Sequence, residues 1–527
     1  MQPVTATQTA SLPDVRLLED RRKSRMLRLL AGLGIAFLVI GLFGRVMAFP
    51  LTHDEQLHIP AARFILREPL YGTLGYTHLP GLPLLLGGLY AATGVDHLLQ
   101  TGRLLIFLCW MATATVLWLT ARRHGGDGRL AISLILVLGA GALLGPTGML
   151  VTNNFLPVPF ALLGVHLFIA ALDRPEPRPA TMFGAGLAVG FAVTLKISYV
   201  FLLPPIAIAA LLAPRGLSIG QRVGLILLPL IAGGVVGVLP ALVVFLSDPH
   251  TLFAHTVRYF TTGHRTYWQH STDPKAMSMA AKILVAEDVW FAQSGLLASI
   301  LVGATVWVLG RQDWRTLRWW PIPFVASLVA LAAVGSFAPT PAFPQYYEPP
   351  VPFLIMLFLL LRRQLEPRFR AWVQPLVGTA AVLALAIIVP RILPDMAAAV
   401  RPARWTGNVL HAQGEYVRAT LAAAHRSGKV ATLSPIVALE GGLPIYPEFA
   451  VGPFLYRVAD YLPAADRSSF RTTSPRELPG FLDADPPAAI VTGHEAELDP
   501  AFVNYARTRK YVPVATGDAE MQLFIRP

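Results

Sequence analysis

Charge is scarce in this chain. Only 14% of its 527 residues are Asp, Glu, Lys or Arg, while 54% are hydrophobic. A soluble domain carries roughly 25% charged residues, so the deficit excludes a soluble globular protein and makes this an integral membrane protein. Cysteine is nearly absent too. Cys109 stands alone in an apolar run, which excludes a disulfide framework and a thiolate metal site. The sequence also lacks an internal repeat, a glycine-rich phosphate loop and any His/Cys cluster at metal-ligand spacing. Acidic residues number 31 against 43 basic ones, a formal charge of +12 that invites a nucleic-acid reading. Its location argues otherwise. Residues 391–527 hold 14 Lys+Arg and 14 Asp+Glu, so the excess of 29 basic over 17 acidic residues lies wholly in 1–390, between apolar runs. Charge so placed sets membrane topology and is not a nucleic-acid footprint.

A basic N-terminus, residues 1–28 with Arg21, Arg22, Lys23, Arg25 and Arg28, precedes an apolar run over about Leu29–Ala48. The run is close to the ~20 residues that span a bilayer and has no small-x-small cleavage site, so it reads as an uncleaved first helix leading outward. Further spans are expected at about 103–121, 130–147, 156–172, 181–195, 198–213, 222–246, 287–309, 320–338, 350–361 and 371–390, eleven in all. Leu79–Thr93 is apolar but short, with Pro80 and Pro83 at its start, and suits an interfacial or re-entrant helix. With that segment left out, inward loops carry 20 Lys+Arg and outward loops eight. Counting it as a span would reverse this and break the positive-inside rule. The expected organisation is therefore a transmembrane module over 29–390, with a first outer loop at about 49–102, and a soluble α/β domain over 391–527 on the outer side. In that domain Lys429–Leu433, Ala488–Val491, Tyr511–Val514 and Met521–Ile525 read as strands, and Gly414–His425 as a helix.

Fixing topology gathers the unusual residues on the outer side. Two adjacent carboxylates, Asp54 and Glu55 in Thr52-His53-Asp54-Glu55-Gln56, stand at the outer mouth of the first helix, where ionised groups need water or a role. Around them in outer loops come His53, His58, Tyr76, His78, Asn153, Asn154, Lys196, Arg258, His264, Arg265 and the run Gln345-Tyr346-Tyr347-Glu348-Pro349. Inner loops hold mostly arginines among turn residues. Each outer residue also has a plain role: His53 and His58 as interfacial loop histidines, Lys196 as a helix cap, and the loop Thr256–His270 with Tyr346 and Tyr347 as an aromatic belt.

An acidic pair after the first helix, an interfacial helix, then Tyr76-Thr77-His78-Leu79-Pro80-Gly81-Leu82-Pro83 resembles the GT-C glycosyltransferases. The nearest branch holds the protein O-mannosyltransferases and the lipid A aminoarabinose transferases, and the Gln345–Pro349 loop and α/β tail fit the same pattern. The resemblance implies a polytopic GT-C fold in a bacterial inner membrane, with active site and C-terminus facing the periplasm. It implies an inverting transfer of a sugar from a polyprenyl-phosphate donor to a glycan, glycolipid or protein acceptor, in contact with membrane lipids and no nucleic acid. Asp54 takes the place of the family's base, with Glu55 beside it to hold a basic neighbour or the acceptor. His78, Lys196, Arg258, Arg265, Tyr346 and Tyr347 are the expected partners of the donor phosphate. His53, His58, Asn153, Asn154, His264 and Gln345 are expected on the sugar and acceptor. Two departures stand out. The aminoarabinose transferases carry a Lys where this chain has Leu79, and relatives often place an Asp where it has Asn153 and Asn154. No metal ligands are expected, and whether a divalent cation assists stays open. The rival classes are a transporter or flippase of lipid-linked sugars and an O-antigen-ligase type of polymer transferase. Transporters tend to carry mid-membrane ionisable groups and repeats, and here such groups cluster outside.

Overall fold

The computed structural model describes residues 15–213, 216–271, 275–312, 320–463, 469–518 and 520–527. The polar stretch 1–14 and the inward cations Arg215, Arg315 and Arg318 lie outside the described residues, as do the side chains of Arg21, Arg22, Lys23, Arg25 and Arg28. Every expected apolar run coincides with helix. Those over Leu29–Ala48, Leu98–Arg123, Ile219–Ser247 and Pro367–Val400 are long and apolar enough to cross a membrane on their own, and Pro157–Leu172, Pro179–Leu195, Ile197–Leu212 and Ile322–Ser336 are shorter apolar helices. Their outward faces expose Leu33, Leu212, Leu228, Ile231, Leu246, Trp307 and Val382. Large exposed apolar side chains on long apolar helices are the mark of a surface that faces lipid.

Two spans differ from expectation. The run 287–309 is two helices, Met279–Trp290 and Gln293–Leu309, meeting at 74°. The chain turns at Gln293 with φ of 50°, and Gly295 lies so close under Val289 and Trp290 that a side chain there would strike their carbonyls. The run 130–147 is helical only over Gly128–Gly139 and then breaks into a 3₁₀ turn, Ala142–Leu144, and a short helix, Pro146–Met149. Gly139, Gly141, Gly145 and Pro146 explain the break. Gly81–Thr93 is a 13-residue helix, as its length suggests.

Close helix packing sets the rim beneath the C-terminal domain. Gly186 and Gly190 on Pro179–Leu195 face Gly233 and Gly237 on Leu228–Ser247, and a Cβ at any of the four would sit 2.0–2.5 Å from a carbonyl of the other helix. Such paired small-residue stripes let membrane helices meet backbone to backbone. Thr194 Oγ1 donates to Gly237 O at 3.0 Å at the top of this pair, and Gly81 sits against Thr194 O. The His78 loop and Lys196 are thereby brought to one corner.

The C-terminal region folds as expected. Strands β1 (Val430–Ala431), β2 (Ala489–Thr492), β3 (Val512–Val514) and β4 (Gln522–Ile525) form one sheet in the order β1-β2-β4-β3. β1 runs parallel to β2, and β4 is antiparallel to both β2 and β3. β2 is buried throughout, as its unbroken apolar sequence requires. Behind the sheet Phe449, Tyr456, Phe481 and Phe502 pack edge to face. Hydrogen bonds dock the domain onto the membrane module: Ile436 N donates to Gln56 Oε1 at 3.1 Å, Leu99 N to Glu440 Oε1 at 2.9 Å and Tyr259 OH to Phe454 O at 3.0 Å.

Candidate active site

A cavity of about 520 Å³ lies where the C-terminal domain roofs the helices. Its floor and walls come from the membrane module: Asp54, His53, His58, His78, Asn153, Asn154, Lys196, His264, Gln345 and Tyr346 all line it. Ten of the fourteen expected residues thus converge from six separate stretches of chain. Asp54 sits in the first turn of the helix His53–Phe64, where the helix dipole favours a carboxylate. It is half-buried, with His53 Nε2 at 3.6 Å from Oδ1.

Lys196 is the best-defined cation of the wall. It ends the Pro179–Leu195 helix in extended backbone, with φ of −151°. Its Nζ donates to Asn154 Oδ1 at 2.8 Å and lies 5.2 Å from the centre of the Tyr346 ring. Asn154 therefore holds Lys196 with its amide oxygen. Burial, and then the charge of Lys196, pushes His78 down to about 3, and burial with the neighbouring His78 and Lys196 lowers His58. His58 Nδ1 meets Tyr76 OH at 2.9 Å, and Thr77 Oγ1 meets His78 Nδ1 at 3.2 Å. His264 is pushed to about 3 by burial, then by Arg457 and His78. Trp268 Nε1 donates to its Nε2 at 3.0 Å, which puts the proton of His264 on Nδ1. That atom is buried and has no partner, so it is a spare donor.

Four expected site residues lie elsewhere. Glu55 is fully buried and forms a two-point ion pair with Arg103, Nε to Oε1 and Nη2 to Oε2 both at 2.6 Å. Val151 N donates to Oε1 at 2.9 Å. Both oxygens are thus occupied away from the cavity, and Glu55 holds a basic neighbour in a structural role. Tyr347 is buried beside Trp290 and Phe337 in a small separate cluster with Ala286, Val289 and Ala342. Arg258 closes the π-helical turn Ala254–Arg258 and is half-buried outside the cavity wall. Arg265 is exposed to solvent.

Sequence reasoning placed the aromatic stretch Pro435–Tyr456 over the acceptor side but named none of the ionisable residues of the roof. Arg457 is 8% exposed and stacks against the rings of Phe454, Trp268 and Tyr267 at 4.8, 5.2 and 5.4 Å. Its Nε is buried without a partner. His494, Glu495 and Glu497 enter from the turn after β2. Glu495 is pushed up to about 8, chiefly by burial, with Asp499 and Asp54 adding to the rise. A signal existed for Arg457, which immediately follows the aromatic stretch Pro435–Tyr456; none existed for Glu495, an ordinary loop glutamate in sequence.

Two further hollows adjoin this one. A hollow of about 360 Å³ between Arg45, Arg391 and Glu348 shares Pro146 and Gln345 with the cavity. It also shares Leu144 with an apolar groove of about 420 Å³ lined by Ile35, Leu38, Leu42, Trp110, Ile135 and Ile388.

The helical module, the C-terminal α/β domain and the roofed cavity together give a polytopic membrane protein with the fold of the GT-C glycosyltransferases. The crystal structure of ArnT from Cupriavidus metallidurans bound to undecaprenyl phosphate is similar over 95% of this chain and 98% of that one, with a TM-score of 0.59 and 15% identity. ArnT in the apo state gives the same coverage and TM-score at 14% identity. In sequence, residues 78–244 match the dolichyl-phosphate-mannose-protein mannosyltransferase family. No curated protein matches.

Proposed function

We propose that this protein is an inverting glycosyltransferase that moves a sugar from a polyprenyl phosphate to a hydroxyl of an envelope glycan, glycolipid or protein on the outer face of the membrane. The observation that carries this reading is the single cavity in which Asp54 faces Lys196 and Tyr346 beneath Arg457. Asp54 takes the acceptor's proton as its oxygen attacks the anomeric carbon. The bond from that carbon to the phosphate oxygen breaks, and the polyprenyl phosphate leaves with the bonding pair. Lys196, with the tyrosine hydroxyl and the neutral imidazole of His78, meets the charge gathering on the phosphate. A single displacement inverts the sugar carbon. Arg457 faces the sugar and acceptor from the roof side. The apolar groove and the hollow above it share walls with the cavity in series, a path that suits an isoprenoid chain entering from the outer half of the bilayer.

The test is Asp54→Asn, which keeps shape and removes the base. Transfer from a polyprenyl-phosphate sugar in detergent micelles should fall by roughly 10²–10⁴-fold, with donor binding and melting temperature unchanged. Wild-type turnover by this variant would remove the base from the mechanism.

A further inference from the structure

A second cluster of chemical groups lies outside the reaction cavity, sharing no lining residue with it. His97 stands in the loop after the helix Gly81–Thr93, whose end is turned by Gly94 at φ of +64°. His411 lies on the helix Thr406–Ala423, and Glu440 ends the helix Pro435–Glu440. Three segments, up to 343 positions apart in the chain, thus meet at one point. The two imidazole rings face each other with centroids 4.0 Å apart and planes 32° from parallel. His411 Nδ1 lies 3.0 Å from Glu440 Oε2. One donor atom from each of the three residues lies within 4.8 Å of the others.

The burial is what makes this more than a stacked pair. Glu440 has no side-chain exposure, whereas His411 keeps 24%. Among the described residues no lysine or arginine lies within ion-pair distance of Glu440; its partners are His411 and the amides of Leu98 and Leu99. A buried carboxylate is usually paired or coordinates a metal. Beside His411 and Glu440 opens a hollow of about 420 Å³, lined also by Asp96, Arg63, Glu415 and Arg418, with room for solvent.

We infer that His97, His411 and Glu440 form a zinc site that joins the first outer loop to the C-terminal domain. Two imidazole nitrogens and one carboxylate, with a fourth position open to water, match zinc's preference. Magnesium and calcium prefer all-oxygen shells. Tetrahedral bonds of ~2.1 Å place ligand atoms about 3.4 Å apart, a closure that rotation of the two half-exposed imidazoles supplies. The ion would fix the domain that carries Arg457 and Glu495 over the reaction cavity. It therefore acts by positioning, from outside the chemistry.

The experiment uses the full-length protein without an affinity tag, in detergent, stripped of metal and then titrated. Zinc should bind at one ion per chain by calorimetry, and cobalt(II) should give visible ligand-field bands. His97→Ala and Glu440→Gln should each weaken binding by at least about 10-fold, the loss that even outer partners of a metal ligand cause. Zinc should raise the melting temperature of the wild type and not of the variants. His97 is on a loop and Glu440→Gln still accepts the Leu99 amide, so both variants are expected to fold; their metal-free melting curves check this. No binding at micromolar zinc would overturn the inference. So would binding undiminished in both variants, which would place the ion elsewhere.

Discussion

Asp54 and Glu55 are neighbours in sequence, and replacing each by its amide should separate chemistry from stability. Glu55→Gln keeps shape while removing the negative charge opposite Arg103. Arg103 has no solvent exposure, and its other contacts are the carbonyls of Val46 at 2.7 Å and Pro50 at 3.4 Å. Those dipoles replace only part of a carboxylate held at two points of 2.6 Å. Removing one partner of a buried ion pair typically costs about 3–5 kcal/mol, because the other charge stays buried. Against total stabilities of roughly 5–15 kcal/mol, that is from about a fifth to the whole of what holds a domain together. The pair also joins the end of the first helix, the Asp54 helix, the Leu98–Arg123 helix and the Val151 amide, so the loss spreads to all four. Expected are a markedly lower melting temperature and a poor yield in detergent, with turnover per folded molecule reduced far less than in Asp54→Asn. Changing both partners, Glu55→Met with Arg103→Met, should recover much of the stability, as apolar replacement of buried pairs often does. The assay is melting by fluorescence-detected size exclusion beside sugar transfer normalised to the folded fraction. Glu55→Gln protein that melts like the wild type and loses turnover as Asp54→Asn does would refute the structural role.

Lys196→Met should weaken binding of the polyprenyl-phosphate donor by about 10–100-fold, from a charge-assisted hydrogen bond worth roughly 1.5–3 kcal/mol; Arg258→Ala, outside the cavity wall, should change it by no more than about twofold. Adding Leu79→Lys to Lys196→Met should not restore binding, since Leu79 is not part of the wall; recovery would show the two positions to be interchangeable. Tyr346→Phe should weaken the donor, whereas Tyr347→Phe removes a buried hydroxyl without a partner and should leave activity intact with stability equal or higher; both are read by donor titration and melting. Glu495→Gln tests the roof by pH: a carboxyl raised to about 8 from the ordinary ~4.3 lets the unfolded chain ionise first, so stability falls as pH rises through that window. The glutamine variant should lose that part of the slope, and an unchanged slope between pH 5 and 8 would count against a buried Glu495.

Much of this was legible from one-dimensional pattern. Apolar runs gave the helices, and strand boundaries at Ala488–Val491 and Met521–Ile525 were within a residue of those observed, because a buried sheet demands unbroken apolar stretches bounded by turns. The 74° bend was not legible. It depends on Gly295 lying under Val289 and Trp290, a contact that hydropathy cannot register. Among site residues, those flagged by being polar in outer loops mostly reached the cavity. Glu55 and Tyr347 did not, because burial of a polar side chain depends on a distant partner: Arg103 for one, Trp290 and Phe337 for the other. His97 and His411 stand 314 positions apart, which no spacing rule for metal ligands could have joined.

Lys196 shows how a cation can be supplied by packing where a motif omits it. The resemblance to the aminoarabinose transferases leads one to expect a lysine where this chain has Leu79, and the proposed donor phosphate then needs a cation from elsewhere. The replacement comes from another helix. Its position follows from four glycines, Gly186, Gly190, Gly233 and Gly237, that bring two helices into backbone contact and from Thr194 capping that contact on Gly237. The helix stops one residue later, and the extended backbone of Lys196 turns its amine to Asn154 and the Tyr346 ring. Asn154 matters in the same way. An aspartate there would neutralise Lys196, whereas the amide oxygen orients the ammonium and leaves its charge for a phosphate. A lysine absent from one loop and an amide in another thus fit together in this chain, where packing sets Lys196 at a helix end in the wall that also holds Asp54, with Arg457 on the roof.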